Sequence, residues 1–263
     1  MGESVVASPP LPSNVVFDVD GCLTLQGRAI PGAREALATV ASRGIAWLIA
    51  TNNSTRTPDA VATELSDLLE LTVPTDRVIT SAQAAVTLLG PEHDPALIVG
   101  EDGLTAALAA AGFAVTDDPD RARSVVVGLD RSFDYSVLSR AGRAVGRGAL
   151  LVASNADPTF PDPGGDLPGA GAILAAIEAI AGRKAVVAGK PHPPMLRLVA
   201  SRLQPGPTWV VGDRPDTDIG LARAGGWVGV LVLSGICRDP SLIPEPLRPD
   251  LVLESVADLP GLL

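Results

Sequence analysis

VVFDVDGCLTL, residues 15–25, sets three apolar residues directly before two carboxylates, Asp18 and Asp20, and then a glycine, Gly21. The run 15–17 shows no polar alternation, the pattern of a strand buried on both faces of a parallel sheet. Further runs of the same kind lie at 46–50, 97–99, 124–127, 150–153, 185–188, 208–211 and 228–232. Helical patterns separate them, at 33–42, 104–111, 135–147, 172–181 and 194–202. This β–α alternation predicts an α/β chain with a doubly wound, mostly parallel core sheet.

In open sheets of this kind, ligands bind beyond the carboxyl ends of the strands. Behind 15–17 come Asp18 and Asp20; behind 46–50 come Thr51, Asn52 and Asn53; behind 185–188 comes Lys190; behind 208–211 come Asp213 and Asp218. One aspartate after a strand is ordinary turn or helix-cap chemistry. Several carboxylates on one rim are another matter, because they repel one another and raise each other's pKa. A cation removes that penalty, and oxygen ligands without His or Cys point to Mg²⁺. Lys190 and Thr51 are then placed to hold an anion opposite the metal, and a phosphate fits.

The spacing of the two acids follows. On an extended segment, residues i and i+2 point to one side. Asp18 can attack phosphorus, while Asp20 protonates the departing oxygen and later deprotonates a water. Gly21 lets the chain turn away without a side chain in the pocket.

DVDGCLT, ATNNST, GKPHP and VGDRPDTDI occur in the order of the four motifs of the haloacid dehalogenase superfamily, and the chain resembles its phosphatases. GLDRSFDYSVLSRAGRAV, SNADPTFP and PGAG resemble cap segments of the type IIA branch, which includes p-nitrophenyl, pyridoxal phosphate, phosphoglycolate, glycerol phosphate and nucleotide phosphatases. The resemblance implies a Rossmann-like core of residues 1–80 and 183–263, with a smaller α/β cap inserted at 81–182. It matches Asp18 to the nucleophile and Asp20 to the general acid and base. Thr51, Asn52, Asn53 and Lys190 match phosphate-binding positions. The Mg²⁺ would be held by Asp18, Asp213 and the backbone carbonyl of Asp20, with Asp218 orienting its waters. C–Cl dehalogenases of the superfamily do not use the second aspartate in this way, so Asp20 favours a phosphatase.

The insert has its own β–α alternation and is expected to form a mixed sheet over the strand ends, excluding water. The Pro- and Gly-rich stretch 157–171 is long for a connection, which suits either a functional loop or a surface crossing. Residues 154–162 are expected to overhang the pocket, with Asn155 and Asp157 reading the leaving group; Asn, Asp and Pro are also what any loop contains.

The expected activity is a Mg²⁺-dependent phosphomonoesterase acting on a small phosphorylated metabolite. Two readings stand beside it: a phosphotransferase or phosphomutase using the same aspartyl phosphate, and a silent regulatory module. Retention of Asp18, Asp20, Lys190 and Asp213 argues against the latter. The net charge of −10 disfavours nucleic acid as a partner. No apolar run is long enough to span a bilayer, and residues 1–14 read as a disordered lead-in without signal-peptide features, so a cytoplasmic location is expected. Caps of this branch often pair, which makes a homodimer an expectation. Cys22 and Cys237 are read as incidental thiols, His93 as a turn residue, His192 as local structure, and Trp47 and Trp227 as core. Arg56 is left between substrate contact and helix capping.

Overall fold

The computed structural model describes residues 9–160 and 164–263. The first part of the lead-in and the loop residues Pro161 and Asp162 lie outside the described residues. Residues 9–14 are not a loose tail: the Pro10 carbonyl accepts from Trp209 Nε1 at 3.0 Å, and Asn14 already belongs to a strand.

The chain opens with β1 (Asn14–Phe17), a small hairpin of β2 (Thr24–Leu25) and β3 (Arg28–Ala29), and α1 (Ala33–Ser42). Then come β4 (Ala46–Thr51), α2 (Pro58–Leu69), β5 (Val78–Thr80) and α3 (Ser81–Val86). A second run follows: β6 (Ala96–Val99), α4 (Asp102–Ala110), β7 (Ser124–Val127), α5 (Tyr135–Gly146) and β8 (Leu150–Ala153). A hairpin of β9 (Thr159–Phe160) and β10 (Leu167–Pro168) leads into α6 (Ala170–Ala181) and β11 (Val186–Val187). The chain ends through α7 (Pro193–Ala200), β12 (Thr208–Gly212), α8 (Gly220–Gly225), β13 (Val228–Val232) and β14 (Leu251–Leu253).

Six strands form the first sheet in the order β14-β13-β12-β1-β4-β5, all parallel. Strand order reverses at β1, so Asp18 emerges at the topological switch point. Alternate residues of β1 enter opposite layers. Val15 and Phe17 pack with Leu37, Val61 and Leu65 of α1 and α2, while Val16 joins Met195, Val199 and Leu221 of α7 and α8. The edge strands β5 and β14 were not among the expected ones; each has only three residues.

The second sheet, β11-β8-β7-β6, is parallel throughout and not the expected mixed sheet. A helix connects each of its strands to the next, and such crossovers return the chain to the same end. Its last strand, β11, pairs with β8 and so carries this sheet past residue 182. The two sheets share an apolar layer. Val126 and Val152 of the second cluster with Val16, Leu48 and Ile79 of the first, through Ala82, Ala85, Leu104 and Leu108. Among the described residues, no helix is long and apolar enough to cross a membrane.

Candidate active site

The carboxyl ends of strands from both sheets open into one cavity of about 680 Å³. Asp18, Thr51, Asp213 and Lys190 lie on it, and so do Glu101, Arg131 and Asn155, which follow β6, β7 and β8.

Lys190 is the centre of the charge arrangement. It is 4% exposed, and its Nζ donates to Asp18 Oδ1 and to Asp218 Oδ1, each at 2.6 Å. Burial alone would favour loss of its proton. The charges of Asp18 and Asp218 outweigh burial, and the ammonium is held well above its usual pKa. Burial raises Asp18 in turn, and Lys190 opposes that rise.

One oxygen each from Asp18, Asp213 and Asp218 lies within 4.8 Å of the others, giving three buried carboxylates against one ammonium. Burial, then repulsion from Asp18 and Asp218, pushes Asp213 up to about 8. Burial likewise pushes Asp218 up to about 6 against the pull of Lys190. Asp218 is fully engaged: its second oxygen accepts from the Arg214 amide at 3.1 Å. Asp213 is not. Its Oδ2 accepts from the Ile236 amide at 2.6 Å, but its buried Oδ1 has no hydrogen-bond partner among the described residues. Such an oxygen is costly to leave unmet. The backbone around it is made for close approach, since a Cβ on Gly21 or Gly235 would collide with the Asp213 carboxylate. Gly21 also holds a φ of 84°, which glycine adopts without strain. Hard oxygen donors, an open buried oxygen and excess negative charge fit a divalent cation.

Asp20 projects into the cavity and is itself exposed, with Thr24 bridged to its backbone. The surrounding walls desolvate its carboxyl and raise its pKa; Lys190 opposes this and Glu64 adds to it. A carboxyl so raised is suited to carrying a proton.

Thr51 is buried, and its Oγ1 accepts from the Asn53 amide at 3.0 Å. Asn53 Oδ1 turns the loop by accepting from the Thr55 amide and hydroxyl at 2.9 and 2.7 Å. Asn52 lies on the cavity, but its side chain is spent on neighbours: Oδ1 accepts from the Lys190 amide at 2.7 Å. Asn155 Nδ2 donates to the Asn52 carbonyl at 2.7 Å, and Asn155 Oδ1 accepts from the Asp157 amide at 3.1 Å. Asp157 carries a pKa raised first by burial, against the pull of Arg214.

Two cavity residues, Glu101 and Arg131, were not foreseen. Arg131 Nη1 donates to both oxygens of Glu101 at 2.9 and 2.8 Å, and its guanidinium lies 5.7 Å from the centroid of Phe160. Glu101 and Arg131 follow strands of the second sheet, so looking past the ends of those strands would have found them. Arg56 pairs with Glu64 at the cavity wall. Cys22 is fully buried, and burial first, with Asp18 next, raises its thiol well above its ordinary pKa. His93 Nδ1 accepts from the Gly90 amide, and His192 precedes α7. Trp47 is buried in one apolar layer beneath Arg77, and the partly buried Trp227 packs against the layer on the other face of the sheet.

A haloacid dehalogenase-like hydrolase model matches residues 15–114, and a second model of HAD-like hydrolases matches residues 187–259. The dihydroxyacetone phosphatase of Corynebacterium glutamicum is 36% identical, over 92% of this chain and 88% of that protein. The D-glycerol 3-phosphate phosphatase of Mycobacterium tuberculosis is 37% identical, over 94% of this chain and 74% of that protein. A crystal structure of the Mycobacterium tuberculosis glycerol phosphate phosphatase in complex with magnesium superposes with a TM-score of 0.86 at 36% identity, covering 94% of this chain and 76% of that one. With four strand-end motifs meeting at one buried lysine, the chain belongs to the haloacid dehalogenase-like hydrolases, in their phosphatase branch with a type IIA cap.

Proposed function

We propose that the chain is a Mg²⁺-dependent phosphomonoesterase that hydrolyses a small phosphorylated metabolite through an aspartyl phosphate on Asp18. The observation that carries this reading is the Lys190 ammonium held on Asp18 beside the open, buried Oδ1 of Asp213. The relatives named above, phosphatases of three-carbon phosphates, support the substrate class. Asp18, Asp213 and the Asp20 carbonyl would hold Mg²⁺, with Asp218 beside them. The ion would neutralise the carboxylates and draw charge from the phosphoryl oxygens.

A carboxylate oxygen of Asp18 attacks phosphorus as the bond from phosphorus to the leaving oxygen breaks. Asp20 delivers its proton to that oxygen, and the alcohol departs. Asp20, now ionised, takes a proton from water as the water oxygen attacks phosphorus. The bond to Asp18 breaks, releasing phosphate and restoring both acids. Lys190 keeps Asp18 ionised and offsets phosphoryl charge, and the hydroxyl of Thr51, on the cavity wall, would donate to the phosphoryl oxygens. Positioning and charge stabilisation supply most of the acceleration in phosphoryl transfer. Residues 81–182, with β11, serve as the cap that keeps bulk water from the acyl phosphate.

Phosphate release from p-nitrophenyl phosphate and a panel of phosphorylated metabolites, in Mg²⁺ and then in EDTA, tests the reading. Asp18→Asn should abolish release while its thermal unfolding stays cooperative. Wild-type turnover by that variant would refute the mechanism. Transfer of phosphate to an added sugar hydroxyl, in preference to water, would replace hydrolase by phosphotransferase.

A further inference from the structure

We propose that Asp157 is a positioning residue: acting through Asn52, it fixes the backbone of Lys190 and so seats the ammonium on Asp18. This goes beyond the phosphatase reading, on which only its kinetic test rests. It also gives Asp157 a role other than reading the leaving group.

Every polar atom of the Asn52 side chain is engaged. Oδ1 accepts from the Lys190 amide at 2.7 Å, and Nδ2 donates to the Lys190 carbonyl at 3.2 Å. Nδ2 also faces both carboxylate oxygens of Asp157, at 3.3 and 3.2 Å. Its backbone carbonyl accepts from Ser81 Oγ at 2.5 Å and from Asn155 Nδ2 at 2.7 Å. Asn52 therefore joins four segments: its own loop after β4, the start of α3, the loop after β8, and the turn after β11.

The direction of the amide matters. An ionised carboxylate only accepts, so Asp157 holds Nδ2 toward itself and leaves Oδ1 for the Lys190 N–H. A flipped amide would set two donors face to face at Lys190 and two acceptors face to face at Asp157. The fit is close, because a Cβ on Gly189 would meet Asn52 Oδ1 at 2.5 Å. Asp157 is itself anchored. Its amide donates to Asn155 Oδ1 at 3.1 Å, and its carbonyl accepts from the Gly171 amide at 2.9 Å, at the start of α6. Charge holds it too: Arg214 and Lys190 both act on its carboxylate. The second sheet thus reaches the catalytic lysine twice, by chain connection through β11 and by side chain through Asp157.

A residue acting this way affects every substrate alike. Partners one step removed from a catalytic group typically cost about 10- to 100-fold when removed. Asp157→Ala is expected to lower kcat about tenfold on p-nitrophenyl phosphate, glycerol phosphate and a nucleoside monophosphate, leaving KM and the ratios among them unchanged. In an Asn52→Ala background the same change should cost little more, since both act through one chain of contacts. Asp157→Asn keeps an acceptor oxygen and should recover most of the loss; if the alanine variant does not fold, Asn52→Ala, which cuts the same chain of contacts, is expected to give the same uniform loss of kcat and the same quickened exchange. A readout independent of turnover is hydrogen exchange at the Lys190 amide, expected to quicken about tenfold in Asp157→Ala and to stay near wild type in Asp157→Asn. A change in substrate ratios with kcat preserved, full additivity with Asn52→Ala, or unchanged exchange at Lys190 would each overturn the proposal. Loss of all phosphatase activity in the wild type would remove the proposed function but leave the exchange result to decide this one.

Discussion

Stripping the divalent cation should make stability fall as pH rises, and Asp213 sets the size of the effect. Its carboxyl is pushed up to about 8 in the folded chain, from an ordinary value of 3.8. Between those values the folded state keeps a proton that the unfolded state has given up. Stability is therefore highest below the unfolded pKa and is lost as pH climbs toward the folded one. One proton difference is worth about 1.4 kcal/mol per pH unit, or about 3 kcal/mol from about pH 5 to about pH 7. The group is 1% exposed, so solvent screening takes little of this away. His192, lowered by burial, works in the opposite direction over part of the range, so the wild type must be read against Asp213→Asn. That variant has no proton to lose at residue 213 and keeps His192. Urea unfolding in EDTA at several pH values should show a steeper decline for the wild type than for Asp213→Asn. Added Mg²⁺ should restore the wild type, most strongly at the alkaline end, where the ion no longer competes with a proton. Equal slopes for the two proteins in EDTA would refute the assignment of Asp213 as the strained acid of the cluster.

Three further outcomes follow from the same geometry. Lys190→Met removes the ammonium between Asp18 and Asp218 and should cost about 3–5 kcal/mol by urea unfolding at neutral pH, together with turnover; near-wild-type stability would contradict the buried clasp. Gly235→Ala drives a methyl group into the Asp213 carboxylate, and calorimetry should find Mg²⁺ affinity reduced by about tenfold or more. Arg131→Ala should shift the ratio of kcat/KM between small and large leaving groups by roughly tenfold, because Arg131 lines the cavity from the second sheet, behind β7; a uniform loss would assign it elsewhere.

The first sheet was legible where strands are long and buried on both faces. The runs at 15–17, 46–50, 208–211 and 228–232 all became strands, and the acids behind the first and third meet in space. The edge strands β5 and β14 were not legible, because three residues leave no period to read and β14 is only partly buried. The run at 185–188 reads as a strand, but which sheet it joins depends on a tertiary pairing with β8 that no local pattern encodes. The parallel course of the second sheet follows from its helical crossovers, which the alternation of apolar runs and helical patterns in the insert already implies. Among loop residues, a carboxylate reading a substrate and one bracing an amide are the same letter. Asn52 and Asp157 differ from ordinary loop residues only in what lies 3.2 Å away.

The attachment of Lys190 to β11 also limits how this molecule can be taken apart. A fragment trimmed to the six-stranded sheet would keep the acids and discard the strand that delivers their counter-charge. A chimera that borrows its cap from a cousin must therefore carry the donor's residues through Lys190, or the graft inherits a mismatched keystone. Evolution of new substrate preferences is under the same restraint: the lid is free to change its inner lining but not its last seam.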